Sequence, residues 1–167
     1  MENRQMLTRI LALLLLLTGC SSPDETGPGK IRWDQEVCER CAMAISDRNF
    51  AAQIRGGPAG ERTRLYKFDD IGCAVVWLEK QAWKEDPRTE IWVADYRNGN
   101  WLDARKAWFL PGPHSPMGYN LGASAERQKD ALDFDAAREH IWKVERGEHA
   151  MQGSGHEHHH DMEAAIQ

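Results

Sequence analysis

The chain has few cysteines, no excess of positive charge and only one long hydrophobic run. Four cysteines among 167 residues are too few to build a disulfide framework for a domain of this size. The formal net charge of −5 at pH 7 argues against nucleic acid as a partner and against electrostatic attachment to anionic lipid. The sequence also lacks a nucleophile motif, a phosphate-binding loop and a dinucleotide-binding glycine pattern, so we expect no enzymatic activity.

The hydrophobic run lies at the N-terminus and is typical of a lipoprotein signal. Arg4 and Arg9 precede the apolar residues 10–17, which are too few to cross a bilayer comfortably. The letters L-T-G-C follow and predict cleavage just before Cys20 and acylation of its thiol. An ordinary signal peptide cut nearby, or an uncleaved anchor, is the alternative. We therefore expect a periplasm-facing, lipid-anchored protein, with the outer membrane slightly preferred because Ser21 is not an aspartate-type retention signal.

Composition divides the chain into five segments. Residues 1–19 form the predicted signal peptide, and residues 20–33, which are polar and contain Pro and Gly, form a flexible lipidated spacer. Residues 34–98 and 99–148 carry the hydrophobic patterns of two folded units. Residues 149–167 are polar, rich in histidine and without a hydrophobic period, which predicts a disordered tail. Loss of the signal peptide removes two arginines and one glutamate and changes the net charge from −5 to −6.

Hydrophobic periodicity predicts short strands and two helices, and hence an α+β fold. The first helix is expected to begin at Asp69 and Asp70, because acids suit a helix N-terminus, and to run to about Trp83. The second helix is expected to start near residues 133–135. The expected strands cover residues 49–54, 64–68, 90–96, 100–102, 107–110 and 121–124.

The two halves share a weak internal repeat. Phe68 and Phe134, each followed by an aspartate, stand at the two predicted helix starts. A methionine lies upstream of each pair, Met43 in the first half and Met117 in the second. This order suggests a duplicated strand–strand–helix unit, although coincidence explains two matched points equally well.

Three soft-metal ligands, Cys38, Cys41 and Met43, lie within six residues. Two thiols and a thioether this close together suit Cu(I), because soft sulfur ligands select that ion. Structural zinc is disfavoured, since no second C-x-x-C and no nearby H-x-x-x-H completes a four-ligand site. With Cys20 acylated three thiols remain, so at least one is free or bound to something. Two alternatives stay open, a Cys38–Cys41 disulfide in an oxidising compartment and a redox-active C-x-x-C.

Further candidate ligands lie in the second half and in the tail. Met117 occupies the loop P-G-P-H-S-P-M-G-Y, where a methionine has few apolar neighbours and is a plausible ligand. His114 in the same loop is explained equally well as a solvent-facing residue. Cys73 lies among apolar residues of the first helix and is better explained as a small buried residue. The tail contains five histidines that either collect metal or are simply solvated: His149, His156, His158, His159 and His160.

The ordered set of motifs resembles the NosL family of copper-binding lipoproteins. After the acylated cysteine come C-E-R-C-A-M-A-I, Y-K-F-D-D-I-G-C, W-V-A-D-Y, W-L-D-A and S-P-M-G-Y, spanning about residues 34–125. The resemblance implies two small ββαβ units packed together. It also implies Cu(I) delivery to apo nitrous oxide reductase, alongside the reductase maturation machinery, for assembly of a copper–sulfide cluster. The family motif is usually C-G-M, and Ala42 replaces its glycine here.

The resemblance further implies a set of copper ligands. These are Cys41, Met43 and Met117, with Cys38 and His114 as additional candidates. The sequence therefore predicts a membrane-anchored Cu(I) metallochaperone without catalytic turnover. Two functions of other classes remain as alternatives, a thiol-disulfide redox lipoprotein that uses the C-x-x-C and a passive lipoprotein interaction module.

Overall fold

A computed structural model describes residues 25–147. These residues form two helices and two small antiparallel sheets, so the predicted α+β composition is confirmed for this part of the chain. The elements in chain order are β1 (Ala52–Gly56), β2 (Arg64–Phe68), α1 (Ile71–Glu79), β3 (Glu90–Ala94), β4 (Trp101–Asp103), β5 (Trp108–Pro111), β6 (Leu121–Ser124) and α2 (Phe134–Glu145).

The larger sheet has the strand order β2-β1-β3-β4, and every neighbouring pair is antiparallel. Its central strand β1 is buried along its whole length, because α1 packs against it and β2. Strand β2 has the predicted bounds. Strand β1 begins later than expected, at Ala52, because residues 48–50 form a turn that starts with the Asn49 N–H donating to Asp47 Oδ1 at 2.9 Å.

The segment before the first strand lies against this sheet instead of forming a free linker. The Gly29 N–H donates to Gln53 Oε1 at 2.8 Å, and Gln53 Nε2 donates back to Gly29 O at 2.9 Å. Arg55 Nε donates to Gly27 O at 2.9 Å, and the Gly27 N–H donates to Glu90 Oε2 at 2.7 Å. The predicted flexible spacer therefore does not extend over residues 25–33, since buried polar side chains of β1 hold them in place.

Helix α1 begins as predicted and ends early. Asp70 caps it, with an extended backbone and a carboxylate that accepts the Gly72 N–H at 2.9 Å. The helix stops at Glu79, and the predicted end at Trp83 is too late. The residues after Glu79 form successive turns that bring the Trp83 ring against Trp77, with ring centroids 5.9 Å apart. Aromatic packing thus prevails over continuation of the helix.

The second half is a two-stranded sheet covered by one helix. Strands β5 and β6 pair with each other, and a parallel bridge between Asp95 and Ala123 joins them to the larger sheet. Helix α2 packs against β5 and α1. Asp133 caps it by accepting the Ala136 N–H at 2.9 Å. Helix α2 therefore packs on the smaller sheet and on α1, the helix that follows β2.

The two halves do not match at the points that suggested a repeat. Phe68 is the last residue of β2, whereas Phe134 is the first residue of α2. Strand β4 belongs to the predicted second unit but pairs with β3 of the first. No strand follows α2 within residues 25–147. The predicted pair of repeated ββαβ units is therefore not confirmed.

The predicted signal peptide, Cys20 and the histidine-rich residues 149–167 lie outside the described residues. Within residues 25–147, neither helix is long and apolar enough to cross a bilayer.

Candidate metal centre

The two cysteines of the C-x-x-C motif lie on a tight loop, residues 37–44, which we call the cysteine loop. Val37 and Ala44 form an antiparallel bridge at its base. The Cys38 N–H donates to Met43 O at 2.8 Å. The Ala42 N–H donates to Cys38 O at 2.9 Å. These backbone hydrogen bonds close the loop and direct both cysteines to one side.

The cysteine loop docks where β2 ends and α1 begins. The Glu39 N–H donates to Lys67 O at 3.0 Å, which attaches the loop to the last residues of β2. Asp69 follows that strand directly, and Cys73 lies in the first turn of α1. The chain reversal between β2 and α1 therefore presents a carboxylate and a third thiol to the loop.

Four ligand atoms converge at this junction. The Sγ atoms of Cys38, Cys41 and Cys73 and a carboxylate oxygen of Asp69 all lie within 4.8 Å of one another. We call these four residues the thiol cluster. The three cysteines are free thiols, and Cys38, Cys73 and Asp69 are buried, with 1%, 0% and 2% of their surface exposed. Cys41 is the partly exposed member, so the cluster opens to solvent at that thiol.

Hydrogen bonding and burial set the protonation of the cluster. The Cys73 thiol donates to the Cys38 sulfur, which lowers the pKa of Cys38 and raises that of Cys73. Burial, followed by the adjacent Cys38, raises the pKa of Asp69 to about 6. Burial is also the main reason why the pKa of Cys41 is raised, and its Sγ lies 3.6 Å from Asp69 Oδ1. At neutral pH the metal-free cluster thus keeps protons on Cys41 and Cys73, and a bound metal ion would have to displace them.

The donor set fits a soft metal ion. Three sulfur atoms suit Cu(I), because thiolates are among the softest ligands in proteins. Zinc was disfavoured by the sequence, but Asp69 and Cys73 complete a set of four donors that zinc also accepts. A binding experiment must therefore compare the two metals.

The predicted ligands differ in their position and in their exposure to solvent. Cys38 and Cys41 are brought together in the thiol cluster. Met43 projects from the same loop and is 52% exposed. Met117 is partly buried against the core, and its N–H donates to Asp70 Oδ2 at 3.3 Å, which ties its loop to the start of α1. His114 is exposed and is not a member of the cluster.

Two members of the cluster were not predicted as ligands. Cys73 is buried, as expected, but it also faces the two other thiols. Asp69 was expected to cap α1, a role that Asp70 fills alone. The short segment F-D-D-I-G-C placed both residues in one local turn, which was a signal of their proximity. Nothing local indicated that the cysteine loop would dock against that turn.

The protein-family comparison bears directly on this site. The model of the NosL family matches residues 31–141, which include the whole thiol cluster. The chain belongs to the NosL family. No significant match was found among curated proteins or solved structures. Family membership and the thiol cluster together indicate a metal-binding protein and suggest copper as the metal. The individual ligands stay predictions.

The alanine that replaces the glycine of the NosL motif has a left-handed backbone. Ala42 has φ 58°, a conformation that glycine adopts readily and that a residue with a Cβ adopts at a cost. The loop therefore keeps the backbone that a glycine would favour.

Proposed function

We propose that the protein is a membrane-anchored Cu(I) metallochaperone that delivers copper to apo nitrous oxide reductase for assembly of its copper–sulfide cluster. Membership of the NosL family supports this function. The observation that carries it is the convergence of three free thiols on one another and on Asp69, because thiol sulfur is the donor that Cu(I) prefers.

The exposure of the donors suits transfer of a metal ion. Cys38 and Cys73 are buried, whereas Cys41 is partly exposed and Met43 is 52% exposed. An incoming sulfur ligand can therefore approach copper from the side of Cys41 and Met43 while the buried thiols still hold it. Met117 is the candidate that closes the site from the second half, since its backbone is hydrogen-bonded to Asp70.

In this function the protein works in the periplasm and carries its cargo without chemical turnover. A lipid on Cys20 holds it to a membrane, with the outer membrane slightly preferred. Its partners are the apo reductase and the reductase maturation machinery. Nucleic acid is not a partner, in line with the net negative charge.

The first test is an anaerobic Cu(I) titration of the reduced protein against a chromophoric Cu(I) chelator. One tight equivalent that persists in an excess of Zn(II) is the expected result. The loaded protein should then transfer copper to the apo reductase faster than the copper–chelator complex does. Failure of the protein to compete with the chelator, or displacement of copper by zinc, would contradict the proposal.

Changing the two methionines distinguishes the redox alternative from the copper chaperone. A thiol-disulfide enzyme depends on its cysteines and should keep its activity when Met43 and Met117 are changed to leucine. A copper chaperone with thioether ligands should lose affinity for Cu(I) in the same variant. A passive interaction module would bind its partner equally well with and without copper.

A further inference from the structure

The arginine between the two cysteines points into the protein. Arg40 lies on the cysteine loop, but its side chain is only 25% exposed. Its Nη2 donates to Glu145 Oε2 at 2.7 Å, and its Nη1 donates to the hydroxyl of Tyr119. The same Nη1 lies 3.9 Å from Cys73 Sγ. Arg40 therefore connects the cysteine loop to the second half of the molecule and to a buried thiol of the cluster.

The partners of Arg40 are themselves held in place. Tyr119 is 2% exposed, and its hydroxyl donates to Glu145 Oε1. Its ring packs directly on the backbone of α1, where a Cβ added to Gly72 would lie 2.2 Å from the ring. Burial, followed by the hydrogen bond to Glu145, raises the pKa of Tyr119 above its usual range, so the phenol keeps the proton that it donates. Arg40, Tyr119 and Glu145 thus form a closed ring of matched donors and acceptors, which we call the arginine clamp.

The clamp adds a side-chain restraint to a loop that backbone hydrogen bonds already close. Backbone hydrogen bonds hold Cys38, Glu39 and Ala42. Cys41 follows Arg40 directly and is the partly exposed thiol. The Sγ atom of Cys41 lies 3.6 Å from Asp69 Oδ1 and accepts the Met43 N–H, and the clamp adds a restraint because it fixes the neighbouring side chain of Arg40. A fixed guanidinium beside Cys73 also favours the negative charge that a site of thiolates and a carboxylate accumulates.

We propose that Arg40, held by Tyr119 and Glu145, is the positioning residue that keeps Cys41 over the buried thiols and thereby sets the affinity of the site for Cu(I). The copper part of this inference rests on the proposed function. The positioning of Cys41 is independent of any metal and can be measured without one.

The test uses the reduced, metal-free full-length chain first. Alkylation of each cysteine by N-ethylmaleimide is followed by mass spectrometry in the unchanged chain and in Arg40→Gln, Glu145→Gln and Arg138→Gln. Arg138 is the matched control, because its guanidinium also forms ion pairs, with Glu79 at 3.5 Å and Asp135 at 3.9 Å, but none of its partners belongs to the clamp. We expect Cys41 to react about tenfold faster in Arg40→Gln and Glu145→Gln, and at the unchanged rate in Arg138→Gln.

The same proteins are then titrated with Cu(I) against the chelator. We expect about tenfold weaker binding in Arg40→Gln and a smaller loss, about threefold, in Glu145→Gln. The double variant Arg40→Gln/Glu145→Gln should bind no more weakly than Arg40→Gln alone, because both changes open the same clamp. Arg40→Lys should recover part of the affinity and keeps the test valid if Arg40→Gln folds poorly.

Two results would overturn the proposal. Unchanged Cys41 reactivity in both clamp variants would show that Arg40 does not position the loop, even if their thermal midpoints fall. A loss of affinity in Arg40→Gln with none in Glu145→Gln would mean that the guanidinium acts through its charge alone. Faster Cys41 alkylation in a protein that binds no copper at all would support the clamp and reject the proposed function, so the two failures are distinguishable.

Discussion

The two loops that carry the predicted copper ligands are built differently. The cysteine loop is closed by hydrogen bonds between backbone atoms, such as the Cys38 N–H to Met43 O at 2.8 Å. The methionine loop, residues 111–120, combines two backbone hydrogen bonds, Gly112 N–H to Asn120 O at 2.9 Å and Gly118 N–H to Ser115 O at 3.0 Å, with hydrogen bonds that involve side chains. Within it the Asn120 N–H donates to Ser115 Oγ at 2.9 Å, and the Ser115 N–H donates to Asn120 Oδ1 at 3.3 Å. Each loop has one buried residue, Cys38 in the first and Tyr119 in the second, and the other residues of both loops are exposed or half-buried.

We expect this difference to give the two loops different roles in binding copper. A preorganised pair of thiols, one buried and one partly exposed, loses little conformational freedom when it binds a metal ion, so we expect it to supply most of the affinity. A ligand on a loop held partly by polar side chains reorganises more easily, so it suits the exchange of copper with a partner. The expected consequences can be ranked by how strongly each residue contributes to holding the metal.

The largest effect is expected from the exposed thiol of the cluster. Cys41→Ser should weaken Cu(I) binding at least about 100-fold, because a hydroxyl is a poor ligand for a soft ion. The chelator competition measures this loss. Glu39→Gln is the matched control, since it changes the same loop without touching the donor set. Equal affinities in Cys41→Ser and the unchanged protein would remove the cysteine loop from the copper site.

An intermediate effect is expected from the methionine loop. Met117→Leu keeps the size and apolar character of the side chain and removes only the sulfur. We expect about tenfold weaker Cu(I) binding and faster release of copper to the chelator in stopped-flow measurements. The thermal midpoint should stay unchanged, because the substitution conserves volume. Unaltered affinity and release would confine the site to the cysteine loop and the β2–α1 turn.

Elements with strong local patterns were predictable from the sequence. Strands β2 and β6 have their predicted bounds, because β2 alternates polar and apolar residues and each strand follows a loop that contains glycine and proline. The start of α1 followed from the acidic cap at Asp70. Its end did not, because the turns after Glu79 depend on the packing of Trp83 against Trp77, a contact that no hydrophobic period encodes.

The candidate site divides in the same way. The spacing of Cys38 and Cys41 on one short loop was enough to place them together. Their approach to Cys73 and Asp69 requires the loop to dock against β2 through the Glu39 N–H, which joins segments far apart in the chain. The sequence was therefore sufficient to predict Cys38 and Cys41 as ligands for a soft metal ion. The complete set of four donors could be identified only from the tertiary structure.

A smaller effect is expected from the backbone of the cysteine loop. The methionine loop uses glycine at two of its three positive φ positions, Gly112 and Gly118, and asparagine at the third, Asn120, whereas the cysteine loop uses Ala42 at φ 58°. Ala42→Gly should relieve a strain of about 1 kcal/mol, partly offset by the greater freedom of glycine in the unfolded chain. We expect a slightly higher free energy of unfolding in urea and unchanged Cu(I) affinity. Ala44→Gly, at a position without positive φ, is the control and should destabilise the protein.

The smallest effect is expected from the histidine of the methionine loop. His114 is exposed and lies outside the thiol cluster; it borders a separate surface pocket with Tyr119 and His140. His114→Ala should therefore change the Cu(I) affinity by no more than about twofold, as expected for a surface substitution. A loss of tenfold or more would mean that the methionine loop moves on loading and carries an imidazole to the metal. The two loops would then both hold copper, and exchange would depend on opening the methionine loop as a unit.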